Sequence, residues 1–272
     1  MSFPDRKLSF VLASTNHGSM IVNRNDINRN GLGEPYGVGY QIFDASHCEG
    51  TEIALLLELL NLRRRHFGDG VVAIDGGANI GTQTVEWARH MHGWGRVISF
   101  EAQEMVYYAL AGNIVLNNCL NARAVHGALG ERMGQLHVPK PDYHSNASFG
   151  SIEIGVKRTT EEVGQDVSYA PQDMAVVPMV NIDTLKLDRL DLIKLDVEGM
   201  EEEVLRGSEK KIAAHKPIMY IETLKSDADE ISRFLTAREY KLIKVGINLL
   251  GFHRSDPCRH DVTHQDGNFT IK

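Results

Sequence analysis

From about residue 51 onward, short apolar runs alternate with longer stretches in which apolar residues recur every three or four positions. The apolar runs predict strands at residues 71–74, 96–101, 122–126, 191–196, 217–222 and 240–245. The amphipathic stretches predict a helix from residue 51 and further helices at 82–91, 104–118, 200–214 and 228–237. This alternation is typical of an α/β fold with a doubly wound, mostly parallel sheet, whose strands are apolar because both faces are buried.

Two parts of the chain lack this alternation. Residues 1–50 are polar and glycine-rich, which predicts loop with a short strand at 40–43. We expect this segment to act as an N-terminal cap or lid, with Tyr36 or Tyr40 placed against a ligand. Residues 51–272 then form a single domain with an insertion at about 131–180, where "GQLHVPK", "SFGSIEIGV" and "MAVVPMV" indicate short strands. The polar tail indicates one more strand at 268–271.

Composition narrows the class of protein. The chain has 272 residues and a net charge of −7, without the basic stripe that nucleic-acid-binding proteins carry. The run Arg63-Arg64-Arg65 falls late in a predicted helix, so we interpret it as a solvated helix end. Three widely separated cysteines form no metal spacing, which favours a reducing, cytoplasmic compartment. Because no apolar segment approaches the ~20 residues of a membrane span, we expect neither a membrane nor a nucleic acid as partner.

The stretch "VVAIDGGANIGTQT" joins an apolar strand to a helix through a glycine-rich turn. Asp75 stands at the carboxyl end of the strand, where doubly wound sheets bind their ligands. Gly77 and Gly81 permit a positive φ, and Asn79 tolerates a left-handed conformation. The spacing D-x-G-x-N-x-G differs from the G-x-G-x-x-G of dinucleotide sites, which favours a ligand without phosphates. S-adenosylmethionine is such a ligand, and Asp75 could attract its cationic end.

A second acid supports this interpretation. Glu101 closes the next predicted strand, where a carboxylate can accept hydrogen bonds from both hydroxyls of a ribose. The predicted cofactor site therefore consists of Asp75, Gly76, Gly77, Asn79, Gly81, Glu101, Ala102 and Asp196.

The stretch "DLIKLDVEGMEEEVL" supplies the candidate catalytic residues. Lys194 and Asp196 lie two apart on one strand and share a face, so they are either a structural ion pair or part of the reaction site. Asp196 could take a proton from an acceptor hydroxyl, orient the acceptor, or bind a divalent metal together with Glu222. Pairing with Lys194 would weaken Asp196 as a base. His144, in the polar stretch "PDYHSNASFGS" of the insertion, is the other candidate base.

Several segments resemble the FkbM family of class I S-adenosylmethionine-dependent methyltransferases. They are "VVAIDGGANIGTQT", "VISFEAQ", "GNIVLNN", "VNIDTL", "LDLIKLDVEGMEEEVLRGS" and "KPIMYIE". The resemblance implies a Rossmann-like, seven-stranded sheet, S-adenosylmethionine as methyl donor, and O-methylation of a sugar, glycan or small natural product. It also makes residues 51–272 the catalytic methyltransferase domain.

Two other functions stay open at this stage. One is a module that binds S-adenosylmethionine without catalysis, and the other is an NAD-dependent oxidoreductase, which the missing third-glycine spacing disfavours. The sequence names neither the acceptor nor the methylated atom, and it leaves metal dependence and homo-oligomer formation open.

Overall fold

The structure, a computed structural model, describes residues 6–154, 162–265 and 268–272. The N-terminal segment contains two strand pairs and a helix, although the sequence predicts mostly loop. These elements are β1 (Phe10–Thr15), β2 (Gly18–Asn23), β3 (Asn28–Arg29), β4 (Pro35–Tyr36) and α1 (Val38–Ala45). β1 pairs with β2, and β3 with β4, both antiparallel. The strand predicted at 40–43 is wrong, because these residues lie in α1. A pattern of only four residues is too short to distinguish a strand from a turn of helix.

The next part of the chain follows the predicted alternation closely. Its elements are α2 (Gly50–Phe67), β5 (Val71–Gly76), α3 (Thr82–His90), β6 (Gly95–Glu101), α4 (Glu104–Leu116) and β7 (Ala122–His126). All six residues of β5 are buried, as expected for the centre of a parallel sheet.

The insertion forms a small sheet beside the main one. Its strands are β8 (Ala128–Leu129), β9 (Gly134–Pro139) and β10 (Met174–Val180), in the order β8-β10-β9. Residues Phe149–Ser151 form a 3-10 helix, so the strand predicted in "SFGSIEIGV" is wrong within the described residues. The end of that stretch falls on residues 155–161, outside the described part of the chain. Two more 3-10 helices, Pro171–Asp173 and Ile182–Thr184, flank β10.

The last part returns to strands and helices. Its elements are β11 (Leu192–Leu195), α5 (Glu201–Arg206), α6 (Glu209–His215), β12 (Ile218–Glu222), α7 (Ala228–Thr236), β13 (Tyr240–Val245), β14 (Asn248–His253), β15 (Val262–Gln265) and β16 (Asn268–Ile271). A 3-10 helix, Pro257–His260, precedes β15. The single helix predicted at 200–214 is two helices, because the chain turns at Gly207 and the Ser208 hydroxyl bonds back to the Val204 carbonyl. β16 confirms the strand predicted in the tail.

Within the described residues, seven strands form one central sheet in the order β13-β14-β12-β11-β5-β6-β7. Neighbours from β12 to β7 pair in parallel, whereas β14 runs antiparallel to both β12 and β13. The sequence prediction of an α/β fold with a mostly parallel sheet is therefore confirmed. Apolar clusters cover both faces of this sheet. None of the described helices combines the length and apolar character that crossing a bilayer requires.

Arg63 corrects the interpretation of the arginine run. It is buried, and its guanidinium contacts Asp191 at 3.0 Å and Asp256 at 2.7 Å. Asp191 also accepts a hydrogen bond from the backbone N–H of Val72, so the cluster ties α2 to the amino ends of β5 and β11. Arg64 and Arg65 are exposed and fit the predicted solvated helix end, whereas Arg63 does not. The sequence pattern of a helix does not show which of three arginines will meet buried acids.

Candidate active site

The carboxyl ends of the parallel strands open into a cleft of about 320 Å³. Its floor lies at the ends of β5, β6, β11 and β12, the edge at which open α/β sheets bind ligands. The N-terminal segment and the insertion form walls above this floor. The charged residues that line the cleft are six acids and two lysines: Glu49, Asp75, Glu101, Asp196, Glu198, Glu222, Lys194 and Lys225.

The turn after β5 has the left-handed backbone that its sequence predicts, with φ of 75° at Gly77, 50° at Asn79 and 88° at Gly81. A Cβ added to Gly77 would lie 1.7 Å from the backbone oxygen of Asp196. Glycine is therefore required where the end of β5 meets the end of β11. At Gly81 an added Cβ would lie 2.5 Å from the Leu110 side chain, which keeps α3 close to α4.

The backbone N–H groups of this turn all have partners inside the protein. Those of Gly77 and Ala78 donate to the Phe100 carbonyl at 3.0 and 2.9 Å, and that of Gly81 donates to the Ala78 carbonyl at 2.8 Å. The N–H of Asn79 donates to the Glu101 carboxylate at 2.9 Å, and that of Ile80 donates to the Asn79 amide oxygen at 2.7 Å. The turn thus offers no free row of N–H donors for a phosphate, unlike a dinucleotide loop.

Glu101 is held by the backbone at the end of β6. Its two carboxylate oxygens accept hydrogen bonds from the N–H groups of Asn79, at 2.9 Å, and Gln103, at 2.8 Å. Burial raises its pKa to about 7, against the effect of these N–H groups, which favour the ionised form. Because each oxygen keeps further acceptor capacity, Glu101 can still receive bonds from a pair of hydroxyls.

Asp75 lies beneath the cleft floor and is fully buried. One of its oxygens accepts a hydrogen bond from the Thr84 hydroxyl at 2.6 Å. The other accepts no hydrogen bond from the described residues and lies 4.0 Å from the Lys194 ammonium. Burial raises the pKa of Asp75, and Lys194 and Thr84 oppose that rise. Its position under the floor makes Asp75 a support for Lys194 more than a direct ligand contact.

Lys194 lies on β11 and Asp196 directly follows this strand, which ends one residue earlier than predicted. Their charged atoms are 3.3 Å apart. Burial opposes the ionised form of Asp196, but Lys194 and a hydrogen bond with Glu222 hold its pKa below the ordinary value. Burial and the Asp196 charge raise the pKa of Glu222 to about 10. At neutral pH the pair therefore consists of an ionised Asp196, with its side chain 31% exposed, and a protonated Glu222.

Asp196, Glu198 and Glu222 bring ligand atoms within 4.8 Å of one another, so the predicted proximity of the two metal candidates is confirmed. The arrangement nevertheless fits a divalent metal poorly. Lys194 pairs with Asp196, Lys225 pairs with Glu198, and Glu222 carries a proton. A metal at this cluster would have to compete with two ammonium groups for its carboxylate ligands.

Comparison with known proteins decides the family. Residues 75–242 match the model described as the methyltransferase FkbM domain, which is more than half of the chain. The chain belongs to the FkbM methyltransferase family. The matched residues include the turn after β5, Glu101, Asp196 and Glu222, and they end within β13.

Individual relatives of this FkbM chain are distant. It is 26% identical over 157 residues to methyltransferase sdnD of Sordaria araneosa, a match that covers 51% of the chain and 60% of that relative. Among solved structures, methyltransferase FkbM from Methylobacillus flagellatus KT has a TM-score of 0.47 and 19% identity, over 68% of this chain and 43% of its own. An S-adenosylmethionine-dependent O-methyltransferase from Thermotoga maritima has a TM-score of 0.39 and 12% identity, over 92% and 82%. The matches therefore cover 60% of the first relative and 43% of the second, less than two thirds of each.

Most of the residues predicted to bind the cofactor line the cleft: Asp75, Gly77, Asn79, Glu101, Ala102 and Asp196. Gly76, the last residue of β5, and Gly81, the last residue of the turn, are not among the lining residues. Tyr36 lines the cleft, as expected of the N-terminal segment, whereas Tyr40 does not.

His144 requires a correction. Its side chain is exposed, its Nδ1 lies 2.5 Å from the Ser9 hydroxyl, and it is absent from the lining of the cleft. The insertion contributes Ser148, Gly150 and Ser151 instead, because the 3-10 helix turns this part of the loop inward. The polar pattern indicated the right loop but not which of its residues faces the ligand.

Two acids near the cleft escaped the sequence analysis. Glu49 lines the cleft from the start of α2, and Asp26 joins the two walls. The buried Asp26 carboxylate accepts hydrogen bonds from the N–H of Gly39, at 3.0 Å, and from that of Phe149, at 3.1 Å. It thereby ties α1 to the 3-10 helix of the insertion. No local signal marks either residue, since both depend on how the N-terminal segment returns across the sheet.

Proposed function

We propose that the chain is an S-adenosylmethionine-dependent methyltransferase that methylates an oxygen of a small hydroxylated molecule, a sugar or a glycan. The turn of residues 77–81 carries this proposal. Its N–H groups are already bonded within the protein, so a pyrophosphate would find no donors there, while the adjacent Glu101 suits a ribose diol. The cleft lining carries six carboxyl groups and two lysines, so hydrogen-bond acceptors predominate there, which disfavours the phosphates of NAD.

S-adenosylmethionine meets these requirements, since it is a nucleoside without phosphate that carries a sulfonium and an ammonium group. When bound, it supplies a methyl group activated for displacement. Glu101 and Asn79 would hold the ribose end, and the turn after β5 would lie beside the methionine end.

Asp196 is the residue best placed to act on the acceptor. Its partly exposed carboxylate can accept a hydrogen bond from an acceptor hydroxyl and orient the oxygen for in-line attack. The low pKa that Lys194 imposes makes Asp196 a weak base. Asp196 would therefore position the hydroxyl first and take its proton late, while Lys194 keeps the carboxylate ionised.

We derive no step through a metal, because Lys194 and Lys225 already neutralise the acidic cluster. Activity that survives a chelator is the expected result. Loss of activity on chelation, restored by Mg²⁺, would reinstate the metal as a partner of Asp196 and Glu222.

The first experiment is calorimetric titration of the full chain with S-adenosylhomocysteine and with NAD. We expect binding of the former only, and binding of NAD alone would overturn the proposal. The second follows S-adenosylhomocysteine release with a panel of hydroxyl and amine acceptors. Asp196→Asn should reduce turnover about 10²–10⁴-fold while cofactor affinity changes little. Asp188→Asn, which removes the same charge from an exposed site, is the matched control.

Binding without transfer to any acceptor of the panel would favour a non-catalytic binding module. Transfer to amines but not to hydroxyls would keep the cofactor assignment and overturn O-methylation.

A further inference from the structure

Glu49 combines three properties that set it apart from the other acids of the cleft. It lies before the matched FkbM domain, it has a left-handed backbone with φ of 52°, and its side chain reaches the cleft wall. A positive φ is uncommon for glutamate and persists where the surroundings impose it. Here the preceding residue is fixed, because the Cys48 N–H donates to His17 Nε2 at 3.1 Å. The N-terminal hairpin thus sets the place of Glu49.

The surroundings of Glu49 present acceptors and few donors. Gln83, which is 3% exposed and also lines the cleft, donates its amide N–H groups to Glu49 at 3.1 Å and to Glu52 at 3.0 Å. Its amide oxygen is buried and accepts no hydrogen bond from the described residues. A carboxylate and an unpartnered amide oxygen on one wall are complementary to a group with several N–H donors, such as a primary ammonium.

The position of Glu49 in the fold identifies which part of the cofactor this pair faces. Gln83 bonds to both Glu49 and Glu52, and Glu52 accepts a hydrogen bond from the Tyr220 hydroxyl of β12 at 3.2 Å. Glu49 therefore stands on the side of β5 that carries β11 and β12. Glu101 closes β6, on the other side of β5. If Glu101 takes the ribose, the methionine portion extends towards Glu49. Asp75 is fully buried and is bonded to Thr84. Asp196 and Glu198 are paired with lysines, and Glu222 is bonded to Asp196. Glu49, by contrast, is bonded to the neutral Gln83.

We propose that Glu49, supported by Gln83, binds the α-ammonium group of the methionine portion of S-adenosylmethionine. This inference rests on the proposed function. It makes the N-terminal segment part of the cofactor site as well as a cover over it.

The test compares two ligands that share the nucleoside and the sulfur. S-adenosylhomocysteine carries the amino-acid portion with its ammonium and carboxylate, and 5′-methylthioadenosine carries a methyl group in its place; of the two missing groups, only the ammonium would be attracted by a carboxylate at Glu49. We expect Glu49→Gln to weaken binding of S-adenosylhomocysteine about ten- to hundredfold and binding of 5′-methylthioadenosine less than about twofold, by calorimetry on the full chain. Glu58→Gln, an exposed charge removal on the same helix, should change neither.

Glu49→Asp provides a second variant if Glu49→Gln does not fold. It keeps the charge but withdraws it by one methylene, and an intermediate loss specific to S-adenosylhomocysteine is expected. Equal weakening of both ligands, or no weakening of either, would overturn the role of Glu49 while the proposed function stands. Failure of the parent chain to bind either nucleoside would overturn both.

Discussion

Glu222 provides a direct measure of the charge on Asp196. In the structure the pKa of Glu222 is raised to about 10 by burial and by the neighbouring Asp196 charge. Their ligand atoms lie within 4.8 Å, so at an effective dielectric constant of about 20 their repulsion is at least about 3.5 kcal/mol. Asp196→Asn removes this repulsion, so Glu222 in that variant should bind its proton about 300-fold more weakly. The pKa of Glu222 must therefore fall.

The measurement is an NMR titration of the protein labelled with ¹³C at its glutamate side-chain carboxyls. Glu222→Gln identifies the resonance, which should report a protonated carboxyl at pH 7 in the parent chain and a markedly more acidic one in Asp196→Asn. Asp188→Asn should leave the resonance unchanged. If Glu222 is already ionised at pH 7 in the parent, or if it titrates identically in Asp196→Asn, the assignment of charge across this pair is wrong.

Three further predictions concern the frame of the site. Gly77→Ala should abolish binding of S-adenosylhomocysteine, measured by calorimetry, because the added Cβ would overlap the backbone at the end of β11. The control is Gly68→Ala: residue 68 has nearly the same φ but open space around it, so this substitution should cost only about 1–2 kcal/mol of stability. Arg63→Met should lower the free energy of unfolding in urea by about 3–5 kcal/mol, since two buried aspartates lose their partner, whereas Arg64→Met, exposed, should cost at most about 1 kcal/mol. In urea titrations the free energy of unfolding of the ligand-free chain should fall by several kcal/mol between pH 5 and pH 9. The pKa of Glu101 is about 7 in the folded chain, above its value in the unfolded chain. The stabilisation from protonated Glu101 is therefore present at acid pH and is lost as the pH rises through 7. These expectations would be contradicted if Gly77→Ala and Gly68→Ala weakened binding equally, if Arg63→Met and Arg64→Met lowered stability equally, or if stability rose between pH 5 and pH 9.

The elements that could be predicted are those whose signals are local. β5, the turn and β6 follow from an apolar run, two glycines with a required positive φ, and an acid at a strand end. Because parallel strands bring their carboxyl ends to one edge, Asp75, Glu101 and Asp196 could be placed in one site without coordinates. The same rule extends to Lys225, just beyond the end of β12, and would have found it.

The parts that could not be predicted depend on contacts distant in sequence. Glu49 follows a segment with no clear periodicity, and its place is set by the hydrogen bond from Cys48, the residue before it, to His17, which lies 31 residues before Cys48. Arg63 differs from its two arginine neighbours only in meeting acids from remote parts of the chain. His144 carried suitable chemistry but faces Ser9, because the 3-10 helix directs the residues after it, and not His144, towards the cleft.

The site residues that could be predicted and those that could not differ in their position relative to the matched domain, and this difference affects how the methyl acceptor should be sought. The residues that suit the nucleoside stand at strand ends inside the matched FkbM domain. Other lining residues of the cleft lie outside that domain: Tyr36 and Gln41 precede it, and Ile247 follows it. Two proteins of this family could therefore share the strand-end residues and still present different walls to their acceptors. The acceptor is consequently better sought with substitutions in the N-terminal segment of the full chain than by analogy with relatives matched only over the sheet.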